Sequence, residues 1–171
     1  MPKAALKPIY LLDIRRNLIF VKTYALLLLI AVIFSNYEVL AQASRIITIN
    51  PKIINQPMIS QGISGGIVKA KEISQTENTA TGYCHGYVQT QPNHLLKLES
   101  FFEFLRLEVN SLVDTTILVK GPDGVWCNDD SETANPMIEG QWQPGVYKIW
   151  IGSYQPDSKD NYQIKITEKN Y

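Results

Sequence analysis

From Gly82 onward the chain alternates polar and apolar positions in short runs. Tyr83, His85, Tyr87 and Gln89 alternate with Cys84, Gly86, Val88 and Thr90. Arg106, Glu108 and Asn110 alternate with Leu105, Leu107 and Val109, and Tyr162, Ile164 and Ile166 with Gln163, Lys165 and Thr167. Tyr147, Ile149 and Ile151 share a phase opposite to Val146, Lys148 and Trp150. Thr115 to Lys120 is β-branched and apolar, and His94 to Glu99 has an apolar side at Leu96 and Leu98. Period two over short runs predicts half-buried strands. Turn chemistry separates them at Gln91-Pro92-Asn93, Gly121-Pro122-Asp123-Gly124, Gln143-Pro144-Gly145 and residues 155–160, where Pro fixes φ and Gly and Asp accept unusual backbone angles. Ser100-Phe101-Phe102 reads as a corner between two strands rather than the middle of a helix. Six or seven strands at this spacing predict an all-β domain, an antiparallel β-sandwich or barrel.

The first third of the chain does not follow that pattern. Lys3, Lys7, Arg15, Arg16 and Lys22 precede a ten-residue apolar run, Ala25 to Phe34, and Ala41-Gln42-Ala43 follows it. A positive start, a short apolar stretch and an A-x-A site form a secretory signal. The run is shorter than the ~20 residues that a membrane span needs. Residues 1–43 are therefore expected to be a cleaved signal peptide, with an uncleaved anchor as the alternative. Arg15-Arg16 also carries a faint twin-arginine resemblance. Residues 44–61 contain Pro51 and Pro57, which interrupt a long strand, so a linker or an edge segment is expected. Residues 62–171 are expected to form the sandwich, entered through the glycine-rich lead Gly62 to Gly66.

Removing the signal takes five basic and two acidic residues from 16 of each, leaving 11 Lys and Arg against 14 Asp and Glu. The mature part is mildly acidic and lacks the basic patch that nucleic-acid binding needs. It retains Cys84 and Cys127. In an exported chain two cysteines favour a disulfide; two separate buried thiols are the alternative. An exported chain would be periplasmic or secreted, with no membrane attachment after cleavage.

Several groupings could carry chemistry. Gly62-Ile63-Ser64-Gly65-Gly66 matches G-x-S-x-G, but that motif works only in a strand-turn-helix setting with an acid and a histidine downstream. His85 and His94 are the only histidines, and neither has a partner at zinc-ligand spacing. Asp123, Asn128, Asp129 and Asp130 crowd one loop region, and Asp114 opens the strand leading into it. Calcium takes six to eight oxygen ligands, so these five residues are the candidate metal set. The competing reading is turn chemistry, in which Asp and Asn bond their own backbone. Trp126, Trp142 and Tyr154 are candidates for an exposed ligand surface, although aromatics on strands more often belong to the core.

In order, Asp114, Asp123-Gly124, Asn128-Asp129-Asp130, Pro144-Gly145-Val146-Tyr147 and Tyr162-Gln163-Ile164-Lys165-Ile166 resemble the bacterial pre-peptidase C-terminal domain. The resemblance runs from about Gly62 to Glu168, and the chain as a whole is similar to short exported proteins of cyanobacterial type. It implies a jelly-roll-like sandwich that is not catalytic and in some members binds calcium or matrix polymers. No peptidase domain accompanies it here. The readings converge on an exported, non-enzymatic binding or accessory module whose partner is a protein or polysaccharide of the envelope or extracellular matrix. A small secreted hydrolase and a structural envelope subunit are the alternatives.

Overall fold

The computed structural model of the chain describes residues 44–49, 56–131 and 134–168. The signal-peptide expectation for residues 1–43 lies outside them. Two sheets dominate. The larger is seven-stranded and centres on β12 (Gly145–Ser153). One side of β12 pairs with β9 (Thr115–Gly121), which carries β10 (Gly124–Asn128) in a hairpin. The other side pairs with β7 (His94–Leu98) and, past its end, with β6 (Tyr87–Val88), which bonds β3 (Val68–Lys69). β1 (Arg45–Ile49) closes the edge beside β7. The smaller sheet has the order β11 (Met137–Trp142), β8 (Phe102–Ser111), β13 (Asn161–Glu168), β2 (Met58–Ile63). The hairpin β4 (Asn78–Thr79) and β5 (Gly82–Tyr83) stands apart, and α1 (Ala70–Ser74) precedes it.

The architecture is the expected all-β sandwich, with one correction. β1 runs parallel to β7, so the sandwich is not wholly antiparallel. Residues 44–61, left open as linker or edge segment, supply β1 and most of β2, and Ile47 and Ile49 lie in the core. Pro57 falls just before β2, which is how it is compatible with pairing, and Pro51 lies outside the described residues.

One core fills the space between the sheets. It takes Leu96, Leu98, Ile117, Val119, Ile149 and Ile151 from the larger sheet. Leu105, Leu107, Val109, Ile138, Ile164 and Ile166 face them from the smaller. These are the apolar phases of the alternating runs, because residues two apart on a strand share a face. The phase slips once. Four residues of β8, Phe102 to Leu105, stand opposite three of β11, Gly140 to Trp142. The resulting bulge lets Phe102 and Leu105 both point inward.

A second cluster lies on the outer face of the larger sheet. Leu118 and Trp150, out of phase with the main core, pack with Ala70, Val88, Cys84 and Cys127. The cover consists of α1 and the β4–β5 hairpin. Lys120 Nζ donates to the Ile73 carbonyl at 2.9 Å, and Cys127 N–H donates to Thr79 Oγ1 at 3.0 Å. Cys84 and Cys127 are joined by a disulfide across 43 positions. A cross-link over that span stabilises by about 4 kcal/mol in the chain-entropy account. This cover is why Thr115 to Val119 are buried on both faces, whereas an uncovered strand would alternate.

Candidate functional site

The long alternating run read for residues 82–90 is broken, and the break forms the most distinctive surface of the described residues. β5 and β6 are two residues each, with Cys84, His85 and Gly86 between them. The disulfide holds Cys84 down. Gly86 has φ +80°, and a Cβ there would lie 2.7 Å from the Ser153 carbonyl oxygen. No larger residue fits so close to the sheet. Pinned on both sides, His85 is thrown outward. Its ring stacks on Tyr83 at 5.1 Å with planes 14° apart. Its Nδ1 donates to Asp129 Oδ2 at 2.8 Å.

Two open clefts of about 330 Å³ each flank this strip. One is lined by Lys71, Glu77, Asn78, Tyr83 and Tyr87, the other by Tyr154, Gln155 and Pro156, and His85 to Tyr87 form a wall common to both. Tyr83 is 54% and Tyr154 49% exposed. Lys71 Nζ pairs with Glu77 Oε1 at 2.6 Å on the rim.

The five residues of the candidate metal set do not gather together. Asp114 precedes β9 and Asp123 follows it, so seven residues of strand, roughly 20 Å, separate them. Asp123 instead lies beside the Tyr147 hydroxyl, whose pKa is pushed up to about 12 by burial and then by Asp123. The β9–β10 hairpin brings Asp129 and Asp130 back to Asp114. Partial desolvation, then the charges of Asp130 and Asp129, raise the Asp114 carboxyl above its usual range. Asn128 has both ends of its amide occupied: Nδ2 donates to the Thr81 carbonyl and Oδ1 accepts from Met137 N–H. Among the described residues, no three His, Cys, Asp or Glu side chains stand grouped as a cation would require. Asp114, Asp129 and Asp130 are mutually repelling carboxylates, but Asp129 is also engaged by His85.

The proposed ligand surface is corrected in two of its three members. Trp142 is 4% exposed and donates from Nε1 to the Leu105 carbonyl at 3.0 Å. Trp126 packs on the core and against Trp142 and Tyr147, with ring centroids 6.0 and 6.1 Å away. A turn beside Trp142 suggested exposure, but on β11 Trp142 stands four residues after Ile138 and shares its inward face. Tyr154 does face solvent. Tyr83 and Tyr87 were missed as surface residues; the signal for them was their phase opposite to Cys84, Gly86 and Val88.

The groups that could serve an enzyme are separated or engaged. Ser64 is buried, its Oγ donating to the Asp160 carbonyl at 3.1 Å and lying 3.0 Å from Ser153 Oγ. His94 is buried between the sheets with Nε2 2.7 Å from the Tyr162 hydroxyl. Burial, and then the charge of Arg45, depress its pKa to about 4. His85 and Asp129 have the mutual geometry of a base and its orienting carboxylate. Yet among the described residues no serine, threonine or cysteine is bonded to His85 Nε2.

The chain is thus a disulfide-linked all-β sandwich presenting a strip of exposed aromatic rings beside three carboxylates. No protein-family model matches it. An uncharacterized protein of the cyanobacterium Synechococcus elongatus is 29% identical over 86 residues, which is 48% of this chain and 63% of that relative. The chain therefore spans less than two thirds of the curated relative it matches. Among solved structures it is similar to the pre-peptidase C-terminal domain of a collagenase from Bacillus anthracis, with a TM-score of 0.42 and 9% identity. That likeness covers 74% of this chain and 96% of that domain. A periplasmic inhibitor of g-type lysozyme from Aeromonas hydrophila matches with a TM-score of 0.39 and 10% identity, over 74% of this chain and all of the other. These likenesses are distant and concern the fold alone.

Proposed function

We propose that this chain is an exported, non-enzymatic binding or accessory module, whose partner is a protein or polysaccharide of the envelope or extracellular matrix. The observation that carries the reading is the stacked, exposed pair Tyr83 and His85, held outward beside a disulfide. Exposed, rigidly held rings are a recognition feature, because they bring large contact area with little conformational entropy to lose. The disulfide supports an oxidising compartment. Among the described residues no helix is long and apolar enough to cross a membrane.

Calcium belongs to this reading only through Asp114, Asp129 and Asp130. A cation there would relieve the repulsion that raises Asp114, while Asn128 and Asp123 are committed elsewhere. Because these carboxylates are not grouped as a coordination set, calcium would act there as a loosely held counter-ion.

The test is to fractionate cells producing the full chain and to trap free thiols with an alkylating reagent. The expected result is an oxidised protein outside the cytoplasm, inert toward ester, peptide and glycoside substrates. Free thiols at Cys84 and Cys127 in a cytoplasmic pool would overturn the exported part. Turnover abolished by His85→Ala would overturn the non-enzymatic part.

A further inference from the structure

We propose that the paired clefts on either side of the His85–Tyr87 wall are a binding site for a neutral polysaccharide, taking one sugar unit in each. This rests on the binding-module reading and gives it a ligand class.

The size fits first. Small-molecule sites run from roughly 300 to 1,000 Å³, and each cleft is about 330 Å³. That is room for a single compact unit, and the common wall places two such units in succession, as a chain polymer would present them. The chemistry fits next. A sugar ring has an apolar face of C–H groups and an equatorial edge of hydroxyls. The stacked Tyr83 and His85 rings offer a flat apolar face, and Tyr154 offers a second across the wall. Asn78 and Gln155, at opposite ends, each bring one acceptor and two N–H donors suited to hydroxyls.

Charge then separates neutral from acidic polymers. On the cleft rim, Lys71 is cancelled by Glu77. Lys69 adds one positive charge to that cleft, and the other cleft is lined by no charged side chain. Asp129, bonded to His85 in the common wall, brings the nearest negative charge and offsets Lys69. The site therefore lacks the several cations that a sulfated or uronic-acid chain needs to balance its charges, and a neutral chain needs none. A peptide fits less well. Strand addition needs an extended free edge, and β3, β4, β5 and β6 are two residues each. Helix docking needs a continuous apolar groove, and these clefts are interrupted by Lys69, Lys71, Glu77 and Asn78.

The experiment is native gel electrophoresis of the oxidised protein in gels cast with soluble β-glucan, xylan, dextran or dextran sulfate. Retardation is expected in at least one neutral polymer and not in dextran sulfate. Tyr83→Ala and Tyr154→Ala should each weaken it about three- to tenfold, the worth of one aromatic contact, and Tyr83→Phe should retain it. Both tyrosines are half-exposed, and unchanged melting of each variant excludes misfolding. Retardation by dextran sulfate alone, by no polymer, or undiminished from wild type in the alanine variants would overturn the inference. Polymer recovered from the gel is then sized. Shortened chains would overturn the non-enzymatic reading itself, whereas absent retardation with intact polymer removes only the glycan and leaves the exported module standing.

Discussion

Acid should unfold this protein through His94 before it does so through most carboxylates. The imidazole is 1% exposed, its Nε2 is held by the Tyr162 hydroxyl, and its Nδ1 has no partner among the described residues. Burial and Arg45 depress its pKa to about 4, against about 6.5 in an unfolded chain. The unfolded state therefore takes up a proton before the native state does. Stability is fully present above about pH 6.5, is lost as pH falls through the window to about 4, and levels off below it. The span corresponds to about 3 kcal/mol in total, of which about 2 kcal/mol is lost by pH 5. His94→Phe keeps a ring against Tyr162 and removes the titration. The Tyr162 hydroxyl loses its His94 partner, but the unpartnered buried Nδ1 leaves with the imidazole, so the variant should lose only about 1 kcal/mol at pH 7.5. The two stability curves should then cross. Urea unfolding followed by tryptophan fluorescence, at pH 7.5 and 5.0, reads this directly. Wild type should be the more stable at pH 7.5 and the variant at pH 5.0. Carboxylates titrate in both proteins and cancel in the difference. Parallel curves, with the same loss between the two pH values, would refute the assignment of a buried neutral histidine.

Opening the disulfide with Cys84→Ala and Cys127→Ala should cost about 4 kcal/mol, measured as the shift in urea midpoint between the oxidised protein and the variant. Trp142→Ala should cost about 3–5 kcal/mol because it empties core volume, whereas Tyr154→Ala should change stability by less than about 0.5 kcal/mol; equal losses in thermal melts would contradict their opposite placement. Calcium at 1 mM should stabilise by less than about 0.4 kcal/mol, the gain of a site half-filled at its own dissociation constant, because Asp114, Asp129 and Asp130 form no coordination set. A gain several times larger in differential scanning calorimetry would mean a coordination set beyond Asp114, Asp129 and Asp130.

The strands of the two large sheets were legible wherever one face is buried and the other is wet. Tyr162, Ile164 and Ile166 are a case in which period two translates into burial without interruption. The reading failed where tertiary cover changed the rule. Thr115 to Val119 lost their alternation because α1 and the β4–β5 hairpin bury the outer face. Residues 82–90 kept their alternation in sequence but not in structure, since a disulfide and a glycine at φ +80° cut the run into two short pieces. The acidic residues were legible as a crowd along the chain but not as a site. A hairpin returns Asp129 and Asp130 to Asp114 and leaves Asp123 at its far end, a separation set by pairing register. Trp142 was misplaced for a different reason: Met137–Trp142 was not read as a strand, and on that strand Trp142 shares the inward face of Ile138.

The cover over the outer face has a consequence for how the exposed strip is held. Leu118 and Trp150 would be a solvent-facing apolar patch on the larger sheet without it, and the cover's own apolar contribution is small: Ala70, Val88, Cys84 and part of Ile73. So few groups bury too little area to offset the entropy of ordering some twenty residues. The Cys84–Cys127 bond, adjacent to His85, supplies the missing constraint. It is covalent, so it holds the strip even when neighbouring contacts fluctuate. A surface built this way keeps its shape under oxidising conditions and loses it under reducing ones. Polymer binding should therefore fall on reduction even at temperatures where near-ultraviolet circular dichroism still reports a folded sandwich core.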